Sequence, residues 1–158
     1  MEPRIDLYKI APEPVQAMVQ LEKYLHHCAI EQPLLHLIKM RASQINGCAY
    51  CLDMHSKDLL SLGETPQRIV SLDAWRETPF YSDRERAALE WTEAVTLISK
   101  THADDEIYER VKQQFSEKEL ADLTWAIAAI NTWNRLAISF RSKAGTYQAP
   151  KRTAGVVV

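Results

Sequence analysis

The stretch that follows Ser116 constrains the fold more than any other part of the chain. Ser116-Glu117-Lys118-Glu119 sets a serine and a glutamate three residues apart, so each can satisfy the other's orphan backbone donor at a helix start. Beyond this box the apolar residues recur at helical spacing on two faces. Leu120, Leu123, Ile127 and Ile130, with Asn134 in line, mark one face; Trp125, Ala128, Ala129, Trp133, Leu136 and Phe140 mark the other. A helix running to about Arg141 and apolar on two sides has to be sandwiched inside a core or between subunits. The rest of the chain must therefore supply elements that cover it.

Those elements also read as helices. Only 4 glycines occur in 158 residues, too few for a turn-rich all-β fold. A second capping box, Ser82-Asp83-Arg84-Glu85, opens a helix through Ala87, Ala88, Leu89, Trp91, Ala94, Val95 and Ile98. Helices are expected over 14–27 and, with Pro33 in the first turn, 33–43. Asn46-Gly47 breaks the pattern, Cys48 opens the next helix, and Gly63 stops it. Thr65-Pro66 starts a short helix to about Leu72, and Asp104 caps one ending near Phe115. Strand content is expected to be close to nil. The expected architecture is an all-α, single-domain bundle of six to seven helices, with a core over about 14–142 and arms at 1–13 and 143–158. Whether the second arm, with its Val156-Val157-Val158 end, orders on a neighbouring subunit is left open.

The net charge of −2 and a pI near 6.2 provide no field for nucleic acid or an anionic membrane. No apolar run approaches the length of a bilayer span, and no signal segment is evident. Three cysteines do not suit a secreted disulfide scaffold, so the expected compartment is the cytoplasm. There, Cys48-Ala49-Tyr50-Cys51 reads as redox or metal chemistry. At 100° per residue, Cys51 falls about 60° from Cys48 and His55 falls between them, with Leu52, Leu59 and Leu62 within or beside the stripe. Tyr50 and Lys57 project from the opposite side. A helix start stabilises a thiolate, whereas an ordinary thiol is only about 3% ionised at pH 7. Burial opposes ionisation, so a base within reach matters, and His55 is placed to take the proton. A zinc site is the rival reading, with Cys48, Cys51 and His55 as ligands and His36 as a fourth.

Around these residues the chain resembles the alkylhydroperoxidase D-like branch of the carboxymuconolactone decarboxylase family. The likeness is carried by Lys39-Met40-Arg41-Ala42-Ser43-Gln44-Ile45-Asn46-Gly47-Cys48-Ala49-Tyr50-Cys51-Leu52-Asp53-Met54-His55. It continues through Gly63-Glu64, Trp75-Arg76-Glu77 and Arg86-Ala87-Ala88-Leu89. The resemblance implies a homotrimer or homohexamer that reduces hydrogen peroxide or organic hydroperoxides. It implies no metal, haem or flavin, with a dithiol or lipoyl-type protein as external reductant. By position it makes Cys51 the peroxide-attacking cysteine, Cys48 the resolving one and His55 the proton-relay histidine. The decarboxylase branch lacks the cysteine pair. Helix-terminus physics alone favours Cys48 as the more acidic thiol.

Two positions depart from the family pattern. His36 stands where a relay glutamate is expected, and Tyr50 stands where a histidine lies between the cysteines. His36 is either part of the relay or a satisfied histidine on a helix face, and Asp58 or Glu93 could supply the missing charge. Two other functions stay open: a redox-sensing protein whose dithiol switches assembly, and a decarboxylase-type enzyme. Elsewhere, Trp125 and Trp133 read as packing anchors, and Cys28 as a structural thiol. His26-His27 reads as surface or helix-end chemistry. Asn131, Asn134 and Arg135 read as a subunit contact or pocket lining, and Glu90 and Glu93 as a solvated or salt-bridged pair.

Overall fold

Both Ser-x-x-Glu boxes start helices as the local chemistry requires. Ser82 and Ser116 accept from the backbone N–H of Glu85 and Glu119, whose carboxylates in turn accept from the serine N–H. The computed structural model describes residues 2–150; the Val156-Val157-Val158 end lies outside them. In chain order the described residues form α1 (Leu7–Ile10), α2 (Pro12–His26), α3 (Gln32–Asn46), α4 (Ala49–Ser61) and α5 (Pro66–Val70). A 3-10 helix (Ser71–Glu77), α6 (Asp83–Thr96), α7 (Ile98–Thr101), α8 (Asp105–Lys112) and α9 (Glu117–Phe140) follow. The fold is all-helical and single-domain, with no strand among the described residues. The helices number more than the six to seven expected, because short turns such as α1 and α7 form separate elements.

Helix α3 is the hub, packing on α4, α6 and α9, while α2 lies along α9 and α8 closes the far side against α6. Leu37, Ile38, Leu59, Leu72, Leu89, Leu123 and Ile127 are almost wholly removed from solvent and form one continuous core. At about 25 cal/mol per Å² of buried apolar surface, such side chains each contribute about 1.5–3 kcal/mol.

The connection between α3 and α4 positions the site. Gly47 ends α3 at φ 70°, a left-handed conformation that glycine adopts without a Cβ penalty. The Cys48 N–H then reaches back to the Ser43 carbonyl at 3.0 Å, the six-to-one bond of a Schellman ending. That geometry delivers Cys48 directly to the N-cap of α4.

The segments expected as arms are, over their described residues, walls. Residues 2–13 carry α1, and Arg4 bonds the Phe140 carbonyl through its N–H (3.0 Å) and the Ser139 carbonyl through its guanidinium (2.9 Å). Residues 143–150 run along α4 of the same chain. The Gly145 N–H donates to Asp53 at 3.0 Å, Lys57 to the Tyr147 carbonyl at 3.0 Å, and the Tyr147 hydroxyl to Asp58 at 2.6 Å.

Candidate functional site

Cys48 takes an extended N-cap conformation (φ −86°, ψ 96°), and Cys51 sits in the first turn of α4. Both are free thiols, each 1% exposed, with sulfurs 2.6 Å apart. Either sulfur can donate across this gap, so the surroundings decide where the proton rests. A hydrogen bond from the Cys51 thiol lowers the Cys48 pKa to about 7. The N–H groups of Cys51 and Tyr50 and the Asn134 side chain add to the effect, against the opposing pull of burial. No capping hydrogen bond of normal geometry reaches the Cys48 sulfur, so the N–H groups act on it by charge. Cys51 is pushed well above the usual thiol range, first by donating to Cys48 and then by burial. In the reduced pair the first proton is therefore lost from Cys48 and the second from Cys51.

A polar cluster from three helices backs the sulfurs. Asn134, fully buried on α9, donates to Ser43 Oγ at 3.0 Å, and Ser43 donates to the Lys39 carbonyl at 2.7 Å. Asn46 bridges Asn134 Oδ1 (2.8 Å) and Asn131 Oδ1 (2.9 Å), while Asn131 reaches Thr96 at 3.0 Å. Buried amides satisfied on every side hold their rotamers, and so fix the floor beneath the thiols.

One turn on from Cys51, His55 is 4% exposed. Its Nδ1 faces His36 Nδ1 at 3.3 Å and Asp58 Oδ2 at 3.6 Å, and His36 Nδ1 lies 3.4 Å from the same carboxylate oxygen. Burial, then the neighbouring His55, pulls the His36 pKa down to about 4; burial also lowers that of His55. Burial thus favours the neutral form of both imidazoles. Burial raises the Asp58 pKa, but the adjacent His55 ring and the hydrogen bond from Tyr147 outweigh it and hold this carboxylate below its ordinary range. Nε2 of His55 is buried without a hydrogen-bond partner.

These groups open on a chamber of about 620 Å³. Cys51, His55, Asp58 and His36 form one side, with Met54 and Tyr50. Trp133, Leu136, Ala137 and Phe140 of α9 face them, and both terminal segments contribute, through Ile5, Leu7 and Tyr8 and through Lys143 and Thr146. Lys39 and Glu22 pair at 2.6 Å at the edge, where Glu22 also accepts from Trp133 Nε1 at 3.0 Å.

The stripe read from the spacing places Cys48, Cys51 and His55 together on a buried face. Several readings need correction. Tyr50, expected to point away, lines the chamber, because the chamber wraps round the first turn of α4. Of the two carboxylates considered for the imidazoles, Asp58 is in place. Glu93 is held instead by Arg41, Arg76 and the Trp75 indole. The metal-capable cluster among the described residues is His36, His55 and Asp58, not the cysteine-containing set. Asn131 and Asn134 are buried and bond to Asn46, Thr96 and Ser43 of the same chain. Trp125 is 57% exposed in the single chain and so does not anchor the chain's own core, whereas Trp133 lines the chamber. Glu90 pairs with Arg110 at 2.9 Å. Tyr147 was missed: nothing near it in sequence signals the contact with Asp58, 89 residues away.

Residues 12–94 match the carboxymuconolactone decarboxylase family. The chain is 44% identical to the uncharacterized protein YdfG of Bacillus subtilis (strain 168) over 146 residues, 92% of this chain and 99% of that one. It superposes with a TM-score of 0.89 and 44% identity on ATU0492 from Agrobacterium tumefaciens, covering 92% of this chain and 100% of that one. ATU0492 is a protein of unknown function whose suggested role is antioxidant defence as AhpD. An uncharacterized peroxidase-related protein from Silicibacter sp. TM1040 shares the fold alone, with a TM-score of 0.78 and 22% identity over 88% of this chain and 74% of that one. Fold, motif region and relatives converge: the chain belongs to the carboxymuconolactone decarboxylase family, in its alkylhydroperoxidase D-like branch.

Proposed function

We propose that the protein is a thiol-dependent peroxidase that reduces hydroperoxides through a Cys48/Cys51 dithiol–disulfide cycle. The observation that supports it is a pair of contacting thiols at a helix start, one of which shares a chamber with a buried, partnerless imidazole nitrogen. Cys51 lines that chamber and is the sulfur a peroxide meets; Cys48 lies behind it. Asp58 beside Nδ1 favours a proton on that nitrogen, which leaves the His55 Nε2 lone pair free to accept the Cys51 proton, with water bridging.

The Cys51 thiolate attacks the distal peroxide oxygen and the O–O bond breaks. The alkoxide leaves as alcohol with a proton returned by His55, and Cys51 becomes a sulfenic acid. The Cys48 thiolate then attacks the Cys51 sulfur, hydroxide leaves and takes a proton from solvent to become water, and a disulfide forms. An external dithiol, free or of the lipoyl-protein type, supplies two electrons by attacking Cys51. Cys48 departs as a thiolate, which its place at the N-cap of α4 stabilises. The external reductant closes to its own disulfide. No metal or organic cofactor enters this cycle.

Peroxide consumption coupled to a dithiol reductant tests the reading. Wild type is expected to turn over, and Cys51→Ser to lose at least about 100-fold in rate, within the range for removal of a nucleophile. Equal rates for the two proteins would sink the assignment.

A further inference from the structure

Two helices bring three lone-pair atoms to one point on the chamber wall. His36 Nδ1 from α3 and His55 Nδ1 and Asp58 Oδ2 from α4 form a triangle with edges of 3.3, 3.4 and 3.6 Å. Hydrogen bonding accounts for one edge of this triangle, between the two imidazoles, and leaves the carboxylate edges long. Both imidazole–carboxylate distances exceed the roughly 2.8 Å of a charge-assisted bond, and two facing Nδ1 atoms can bond only if one is protonated and the other bare. A metal ion serves it well. Zinc bound at about 2.0–2.1 Å in tetrahedral geometry holds its ligand atoms about 3.3–3.5 Å apart. An octahedral ion such as magnesium at about 2.1 Å holds neighbouring ligands only about 3.0 Å apart.

Two further observations point the same way. The Tyr147 hydroxyl engages Asp58 Oδ1 at 2.6 Å, which leaves Oδ2 to the triangle and orients it, as outer partners of metal-binding carboxylates do. His55 is buried with its other ring nitrogen unpartnered, so all of the ring's polar contacts lie at the triangle. All three residues line the chamber, which offers an entry path.

We propose that His36, His55 and Asp58 bind a single divalent transition ion, best suited to Zn²⁺, with its fourth coordination position open to the chamber. An imidazole bound through Nδ1 carries its proton on Nε2, so a filled site withdraws His55 from proton exchange with the thiols. Metal occupancy and the relay of the proposed peroxidase cycle thus exclude one another at His55. The site itself does not rest on that cycle.

Binding is measured without turnover. Chelator-treated full-length protein is titrated with zinc chloride by calorimetry and with Co²⁺ by absorption spectroscopy. One equivalent is expected, with a tetrahedral nitrogen–oxygen cobalt spectrum free of thiolate charge-transfer bands. A Cys48→Ser/Cys51→Ser variant should keep its zinc affinity, while His36→Gln and Asp58→Asn should each weaken it at least about tenfold, and Tyr147→Phe by about tenfold. His36 is partly exposed on the chamber wall, so His36→Gln keeps the result readable if Asp58→Asn fails to fold. Absence of stoichiometric binding overturns the proposal. So does binding that His36→Gln retains and the double cysteine variant loses, which would assign the ion to the thiols.

Discussion

At the scale of single residues, the two cysteines are chemically unlike although three positions apart. Cys48 sits at the N-cap and receives a thiol hydrogen bond, while Cys51 gives that bond and is buried. Removing the donor should therefore be felt by Cys48. The thiolate absorbance of wild type is expected to titrate with a midpoint near 7. In Cys51→Ala that midpoint should rise by about one to two units, toward an ordinary thiol; an unmoved midpoint would show that the helix terminus alone sets it. This asymmetry was half legible in the sequence. Helical spacing put Cys48, Cys51 and His55 on one stripe and named Cys48 the more acidic. Asp58 could only be a guess among carboxylates, because solvated acids share its spacing, and Tyr147 could not be found at all. Its hydroxyl meets Asp58 through a chain return that leaves no periodic trace.

At the scale of elements, caps were legible wherever a side chain closes them locally. The boxes at Ser82 and Ser116 and the Asp104 cap each satisfy donors within three residues. The helix start at Pro12, two residues before the expected position, carries no side-chain cap to announce it. The joint between α3 and α4 links such local rules to the site. Ser116→Ala and Gly47→Ala should each cost about 1 kcal/mol, one through a lost cap and the other through a forced left-handed alanine. Their effects on the thiols should differ. Gly47→Ala strains the turn that sets Cys48 at the N-cap and should raise its pKa, whereas Ser116→Ala acts at the other end of the long helix and should leave it unchanged. Melting curves and thiol titration on both variants separate the contributions; equal pKa values would break the proposed link between turn and thiol.

At the scale of the whole molecule, the chamber was the least legible feature, because it is made by parts that the sequence separates most. Residues 3–8 and 142–146 meet over α4 and α9 and enclose a site whose chemistry lies in between. Enclosure has a consequence for stability. His36 is held at a pKa of about 4, and His55 is also lowered, both by burial, so between pH 6.5 and 4 the unfolded chain binds protons that the folded chain refuses. Stability from this source is complete above pH 6.5 and is lost as the pH falls toward 4. Asp58, held below its ordinary range, extends the loss to lower pH. For His36 the full effect is up to about 3 kcal/mol, or roughly 6–12 °C in Tm for a chain of this size. Melting temperatures of chelator-treated protein should therefore fall between pH 7 and pH 4.5. His36→Gln, which has no proton to gain, should flatten that fall; parallel curves for the two proteins would mean that the chamber admits enough water to ionise the histidine in place.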